Sequence, residues 1–255
     1  MKILGLTDSN AVGGNSPIAE DKLRDRLIAA PLSKALGEEV EITSRIAWPN
    51  ADLPRAVEGW LDRLEPDVLL ITTNSFAYQY RSAPIKLERK YGAAGRLAAT
   101  AGLRMAATPR ISHNRPFQWA RKQIQRRVGG ATHFEPEEVA AVYLEIARIA
   151  LRHEGLTLGI VGPTTIQRRW ATTGAELAEA ERRRLVVHNA FKSFCHERHV
   201  WYRGSDLPQE SMETDKERQG DELHANEAGH RRHAEIGMKI VVELCRHAQQ
   251  SRGRQ

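Results

Sequence analysis

The chain has 255 residues, a formal charge of +6 and two cysteines, Cys195 and Cys245. That length suffices for one large domain with a buried core, and two cysteines without paired spacing exclude a disulfide scaffold and suit a reducing compartment. No apolar run approaches a membrane span and the short run after Lys2 is no secretory leader, so the expected location is the cytoplasm.

The first predicted element is a short buried strand over Ile3–Leu6. It stops at Thr7-Asp8-Ser9-Asn10, residue types that turns use. The carboxyl edge of such a strand is also where open α/β sheets place their ligands. Ser16-Pro17 reads as an N-cap followed by proline at the first helical position. The expected helix runs over 18–36, kinked or broken at Pro31 and ended by Gly37. Val40–Thr43 is a second strand. LPRAVEGWLDRL is an amphipathic helix stopped by Pro66. DVLLIT is a continuous apolar strand, as in a sheet covered on both faces, and Thr72-Thr73-Asn74-Ser75 follows it.

Tyr80–Gly130 then breaks the rhythm. It holds twelve Lys or Arg against one acid, Glu88, a local charge of +11 that leaves the rest of the chain at −5. Such a segment suits a solvated face, a lid over a site, or a contact for an acidic partner or anionic surface. After it, PEEVAAVYLEIARIALRH is an amphipathic helix opening on Pro136 with acids in its first turn. A fourth strand is expected in LTLGIVG, a long helix from about Gly174 to Cys195, a fifth strand in HVWYRG and a last helix from Asn226 through MKIVVELCRH. Alternating strands and helices imply a parallel sheet with helices on both faces. The chain reads as one domain over 1–255, with 80–155 as an inserted basic and helical segment.

The other chemistry-bearing stretch is GDELHANEAGH. Asp221 and His224 stand three apart, directly before a helix capped by Asn226. If the loop follows the fifth strand, it lies at the same sheet edge as Ser9. His224 would then take the proton from the Ser9 hydroxyl, and Asp221 would fix the imidazole tautomer and stabilise the imidazolium.

These residues resemble the SGNH or GDSL hydrolases. Members of that family carry a nucleophile in Gly-Asp-Ser after the first strand, an asparagine after the third, and Asp-x-x-His near the C-terminus. Thr7-Asp8-Ser9, Asn74 and Asp221-Glu222-Leu223-His224 match those motifs in order along the chain. The resemblance implies a flavodoxin-like, three-layer α/β/α sandwich with five parallel strands. It also implies hydrolysis of an ester or amide through an acyl-enzyme, without a cofactor, and a small-molecule ester is the expected substrate. Ser9 would be the nucleophile, His224 the base and then acid, and Asp221 the orienting acid. Asn74 and the Ser9 amide would donate to the oxyanion.

The sequence also departs from the pattern. Thr7 and Thr72 stand where the family has glycines, and Ser75 where it has aspartate. The loop after the second strand, SRIAWPN, lacks the glycine whose amide completes the oxyanion hole. The second backbone donor is therefore expected from Ala47, the smallest residue there. Two alternatives stay open. A non-catalytic binding protein on the same fold would follow from a broken oxyanion hole, and an acyltransferase would use the same residues. Metal binding at Cys195, His196 and His199, or at His230 and His233, lacks a recognised zinc spacing. GLTDSNAVGG lacks the lysine of a phosphate loop and the spacing of a dinucleotide fingerprint.

Overall fold

The computed structural model describes residues 1–8, 18–73, 75–164, 173–204, 217–219 and 224–252. Five strands form one sheet: β1 (Lys2–Thr7), β2 (Glu41–Ile46), β3 (Val68–Thr72), β4 (Thr157–Val161) and β5 (Trp201–Arg203). Their order is β2-β1-β3-β4-β5, with every neighbouring pair parallel. This is the flavodoxin-like order expected from the sequence.

Side chains alternate across a strand, so each strand feeds two cores. Leu4, Leu6, Leu69, Ile71, Leu158 and Ile160 face one way. There they meet α2 (Leu53–Leu64), α7 (Pro136–Ala150) and α8 (Gly174–Arg198) through residues such as Val57, Leu61, Tyr143, Ile146 and Phe191. Ile3 and Val68 face the other way. They meet α1 (Arg24–Leu36) and α9 (Glu227–Arg252) through Ile28, Leu32, Val241 and Leu244. The result is three layers. Gly159 is small because α9 lies so close: a Cβ there would come within 2.5 Å of the Leu244 side chain.

Two expectations about the first helix are corrected. Ser16 and Pro17 lie outside the described residues, and the helix begins later, at Arg24. Residues Glu20–Lys22 form a single 3-10 turn, and Leu23 is extended at φ −70°, ψ 146°, which separates the two. Pro31 does not break α1. It sits on the exposed side, while Ile28 and Leu32, on the buried side, hold the helix against the core. Packing therefore outweighs the one backbone bond that proline removes.

Between β3 and α7 come α3 (Phe76–Gln79), α4 (Ala83–Ala107), α5 (Pro109–Ser112) and α6 (Arg115–Val128). The span 80–155 thus holds two different things. Helix α7 carries Val139, Tyr143 and Ile146 into the central core, and is the crossover from β3 to β4. Helices α4 to α6 leave and return through a narrow neck. There Ser82 N donates to Ala131 O at 2.8 Å and Ala131 N to Ser82 O at 3.1 Å. Arg81 Nε donates to Gly130 O at 3.0 Å. A Cβ on Gly130 would lie 2.6 Å from the Arg81 carbonyl carbon, so the neck demands glycine there. Helix α4 itself is kinked at Gly92, where φ is 57° and ψ −127°, a conformation natural to glycine alone.

Below the neck stands Arg183 of α8. It is 8% exposed and donates to Tyr78 O, Phe134 O, Thr132 Oγ1 and Glu135 Oε2 at 2.7–2.8 Å. All three guanidinium nitrogens donate, as a buried arginine requires.

Candidate active site

In a sheet of this order the connections after β1 and β3 leave in opposite directions. The crevice between their carboxyl ends is the ligand position of such folds. Here that edge is built from Thr7-Asp8 after β1 and Thr72-Thr73 after β3. Thr72 Oγ1 donates to Leu6 O at 2.6 Å, tying the two strand ends together. Ser9 and Asn74, the expected nucleophile and oxyanion donor, follow directly on these ends and lie outside the described residues.

The third contributor is the start of α9. Asn226 Oδ1 accepts from Gly229 N at 3.1 Å, so Asn226 caps the helix as its sequence position predicts. Its Nδ2 donates to Arg218 O at 3.0 Å, and its N–H to Glu217 O at 2.9 Å. Residues 217–219 therefore lie against 224–226, with Gln219 N donating to His224 O at 2.8 Å. Gly229 permits this approach: a Cβ there would come within 2.3 Å of Glu217 O. His224 is thus held just ahead of α9, partly exposed. Asp221 lies outside the described residues.

Arg24 joins this element to the strand end. Its backbone N–H donates to His230 Nδ1 at 3.2 Å, in the first turn of α9. Its guanidinium reaches Thr7 Oγ1 at 3.5 Å and pairs with Asp25 at 2.9 Å. Lys22 adds an ion pair to Glu227 at 3.1 Å. The ends of β1 and β3 and the start of α9 thus meet at one edge. Sequence reasoning missed Arg24. Its signal is a cation in the first turn of a helix, where the dipole disfavours positive charge unless an acid such as Asp25 offsets it.

The Ala47 expectation is corrected. Its N–H donates to Thr7 O at 2.8 Å and continues the β1–β2 ladder. Its carbonyl accepts from Tyr143 Oη at 2.7 Å. Ala47 is fully buried, and its one donor, the N–H, is spent on Thr7, so it is not available to an oxyanion. Parallel pairing carried one residue past Ile46 consumes the amide.

An aromatic wall flanks the same edge. Trp48, just after β2, packs edge-on against His133 and Phe134 with ring centroids 5.0 and 5.6 Å away. Phe76, two residues past Asn74, stacks on Tyr80 at 4.3 Å. Burial, reinforced by the Arg89 charge, holds His133 below the usual histidine pKa. Gln79 Nε2 donates to Tyr78 Oη at 3.2 Å and to Thr164 O at 3.1 Å, joining the loops after β3 and β4. Burial pushes the Tyr78 phenol far above its ordinary range, so it stays protonated.

The histidine-rich stretches read otherwise. Cys195 faces the core, and burial pushes its thiol up to about 12, while His196 and His199 are exposed. Among the described residues no three His, Cys, Asp or Glu side chains gather as a metal site. A cavity of about 150 Å3 lined by Lys2, Glu41, Arg63 and Pro66 opens at the amino-terminal edge of the sheet, away from the position where this fold does chemistry.

No family model matches this sequence, and no curated protein does. Solved structures do match. The chain resembles TesA at 12% identity and a TM-score of 0.56, covering 96% of this chain and 99% of that one. It resembles Est24, a carbohydrate acetylesterase from Sinorhizobium meliloti, at 12% identity and a TM-score of 0.53, covering 95% and 99%. A family 3 carbohydrate esterase from Clostridium thermocellum matches at 13% identity and a TM-score of 0.53, covering 97% and 98%. The shared property is the fold, over nearly the whole of each chain.

Proposed function

We propose that the chain is a serine hydrolase of the SGNH type, an esterase acting on a small-molecule ester through an acyl-enzyme. One observation carries this reading: the ends of β1 and β3 and the start of α9 meet at one carboxyl edge. It is supported by the fold shared with solved esterases. Ser9 Oγ attacks the ester carbonyl while His224 takes its proton. The tetrahedral oxyanion is held by the Ser9 amide and Asn74. His224 returns the proton to the departing alcohol, leaving an acyl group on Ser9. A water, deprotonated by His224, then attacks the acyl carbonyl, the acyl–Oγ bond breaks, and His224 returns the proton to Ser9 as the acid leaves. Asp221 orients the imidazole throughout. Trp48 and Phe76 offer an apolar flank for one side of the ester. Two buried, reduced cysteines support a reducing, cytoplasmic setting.

A fluorophosphonate probe tests the reading. It should label the parent on Ser9 and leave Ser9→Ala unlabelled. Labelling that persists in Ser9→Ala, or that falls on Ser75, rejects the nucleophile.

A second reading is favoured by the Ala47 amide, bonded to Thr7 instead of open to a substrate. Unless the amide of Ile46 or Trp48 takes its place, the hole has one backbone donor fewer, rate falls roughly a hundred- to a thousandfold, and a binding protein on this fold becomes the better description. Probe labelling as slow as that of free serine would select it. An acyltransferase differs only in the acceptor, and product analysis with an added alcohol separates the two.

A further inference from the structure

Helices α4 to α6 expose what a core would bury. Nine large apolar side chains are exposed among the described residues, and six belong to these helices: Tyr91, Leu97, Met105, Ile111, Trp119 and Ile124. Leu97 is 76% and Trp119 65% exposed. On α6 the exposed residues Arg115, Trp119, Lys122 and Arg126 are spaced four, three and four apart. That spacing puts them along one face of the helix. A tryptophan therefore sits within a row of three cations.

The charge selects the partner's sign and the apolar residues select its phase. The segment from Tyr80 to Gly130 carries +11. Arg81, Arg89 and Arg96 are satisfied by Glu176, Glu135 and Glu88, whereas Lys90, Arg104, Arg110, Arg115, Arg126 and Arg127 stand exposed. A nucleic acid would use the cations and stack on the aromatic rings, but it offers nothing to Leu97, Met105, Ile111 and Ile124. Aliphatic side chains gain only where there is hydrocarbon. Cations together with tryptophan and aliphatic side chains exposed on the same group of helices are the residue types with which an interfacial segment meets anionic lipid. The neck at Ser82 and Ala131, clamped from below by Arg183, fixes both ends of the segment to the core.

We infer that α4 to α6 form a docking surface for an anionic phospholipid bilayer, with Trp119 at headgroup level between Arg115, Lys122 and Arg126. The contact is independent of the hydrolase reading, and probe labelling of the same samples reports that reading separately.

The experiment is co-sedimentation of the full chain with vesicles of phosphatidylcholine alone and of phosphatidylcholine mixed with phosphatidylglycerol. The chain should sediment with the mixed vesicles only and be released by added salt. Arg115→Gln and Arg126→Gln should each weaken binding by about fivefold. Trp119→Ser should weaken it at every salt concentration, because its share is not ionic. All three positions are exposed, so circular dichroism of the variants should match the parent. Sedimentation with neither vesicle, or equally with both, overturns the proposal. So do full binding by Trp119→Ser and binding to RNA without binding to vesicles.

Discussion

Arg24 is the residue on which the assembly of the candidate site turns, because three elements converge on it. Replacing it with methionine removes its bonds to Thr7 and Asp25 and leaves the Asp25 carboxylate, 13% exposed, without its cation. The expected cost is about 2 kcal/mol. Combining Arg24→Met with Asp25→Leu should cost less than the sum of the single changes, because the orphaned charge is gone. Urea denaturation of the three variants measures this, and simple additivity would remove the pair from the account. His133 gives a pH prediction. Its folded pKa lies below the unfolded value near 6.5. The unfolded chain therefore binds the proton first, and stability falls as pH drops through that value towards the lower folded one. His133→Gln should lose this part of the acid destabilisation. Melting temperatures on both sides of the window check it, and an unchanged pH dependence would contradict it.

Elements are fixed here by their ends as much as by their faces. Helix α9 begins at Asn226, whose side chain caps Gly229 N and also holds Arg218. Asn226→Ala should cost about 1 kcal/mol through the cap. It should also slow probe labelling, since the segment 217–219 that lies against His224 loses an anchor. The neck of the insertion depends on Arg183 in the same way. Arg183→Met strands Thr132 and two carbonyls, so a loss of roughly 3 kcal/mol or more is expected. Protease cleavage within α4 to α6 should rise with it. Equal protease resistance in the parent and Arg183→Met would show that the neck holds without its clamp.

At the scale of the molecule the insertion is an attachment, since it leaves and rejoins the core through one pair of backbone bonds. A chain in which 84–129 is replaced by a short Asn-Gly turn should still unfold cooperatively on heating. Non-cooperative melting would instead make α4 to α6 part of the core. Much of this architecture is legible in the sequence because it depends on local periodicity. The apolar run at 68–72 makes a strand covered on both faces, the pattern of 53–64 makes an amphipathic helix, and Asn226 makes a cap. The segregation of positive charge into 80–130 needs no coordinates either. Only the tertiary structure decided the rest. Whether Pro31 ends a helix depends on what Ile28 and Leu32 pack against. Whether the Ala47 amide is free depends on how far β2 stays paired with β1. Arg24 matters because α9 comes back to β1 from the far end of the chain. Periodicity is a property of neighbours in sequence, whereas pairing and packing join residues brought together only by the closed fold.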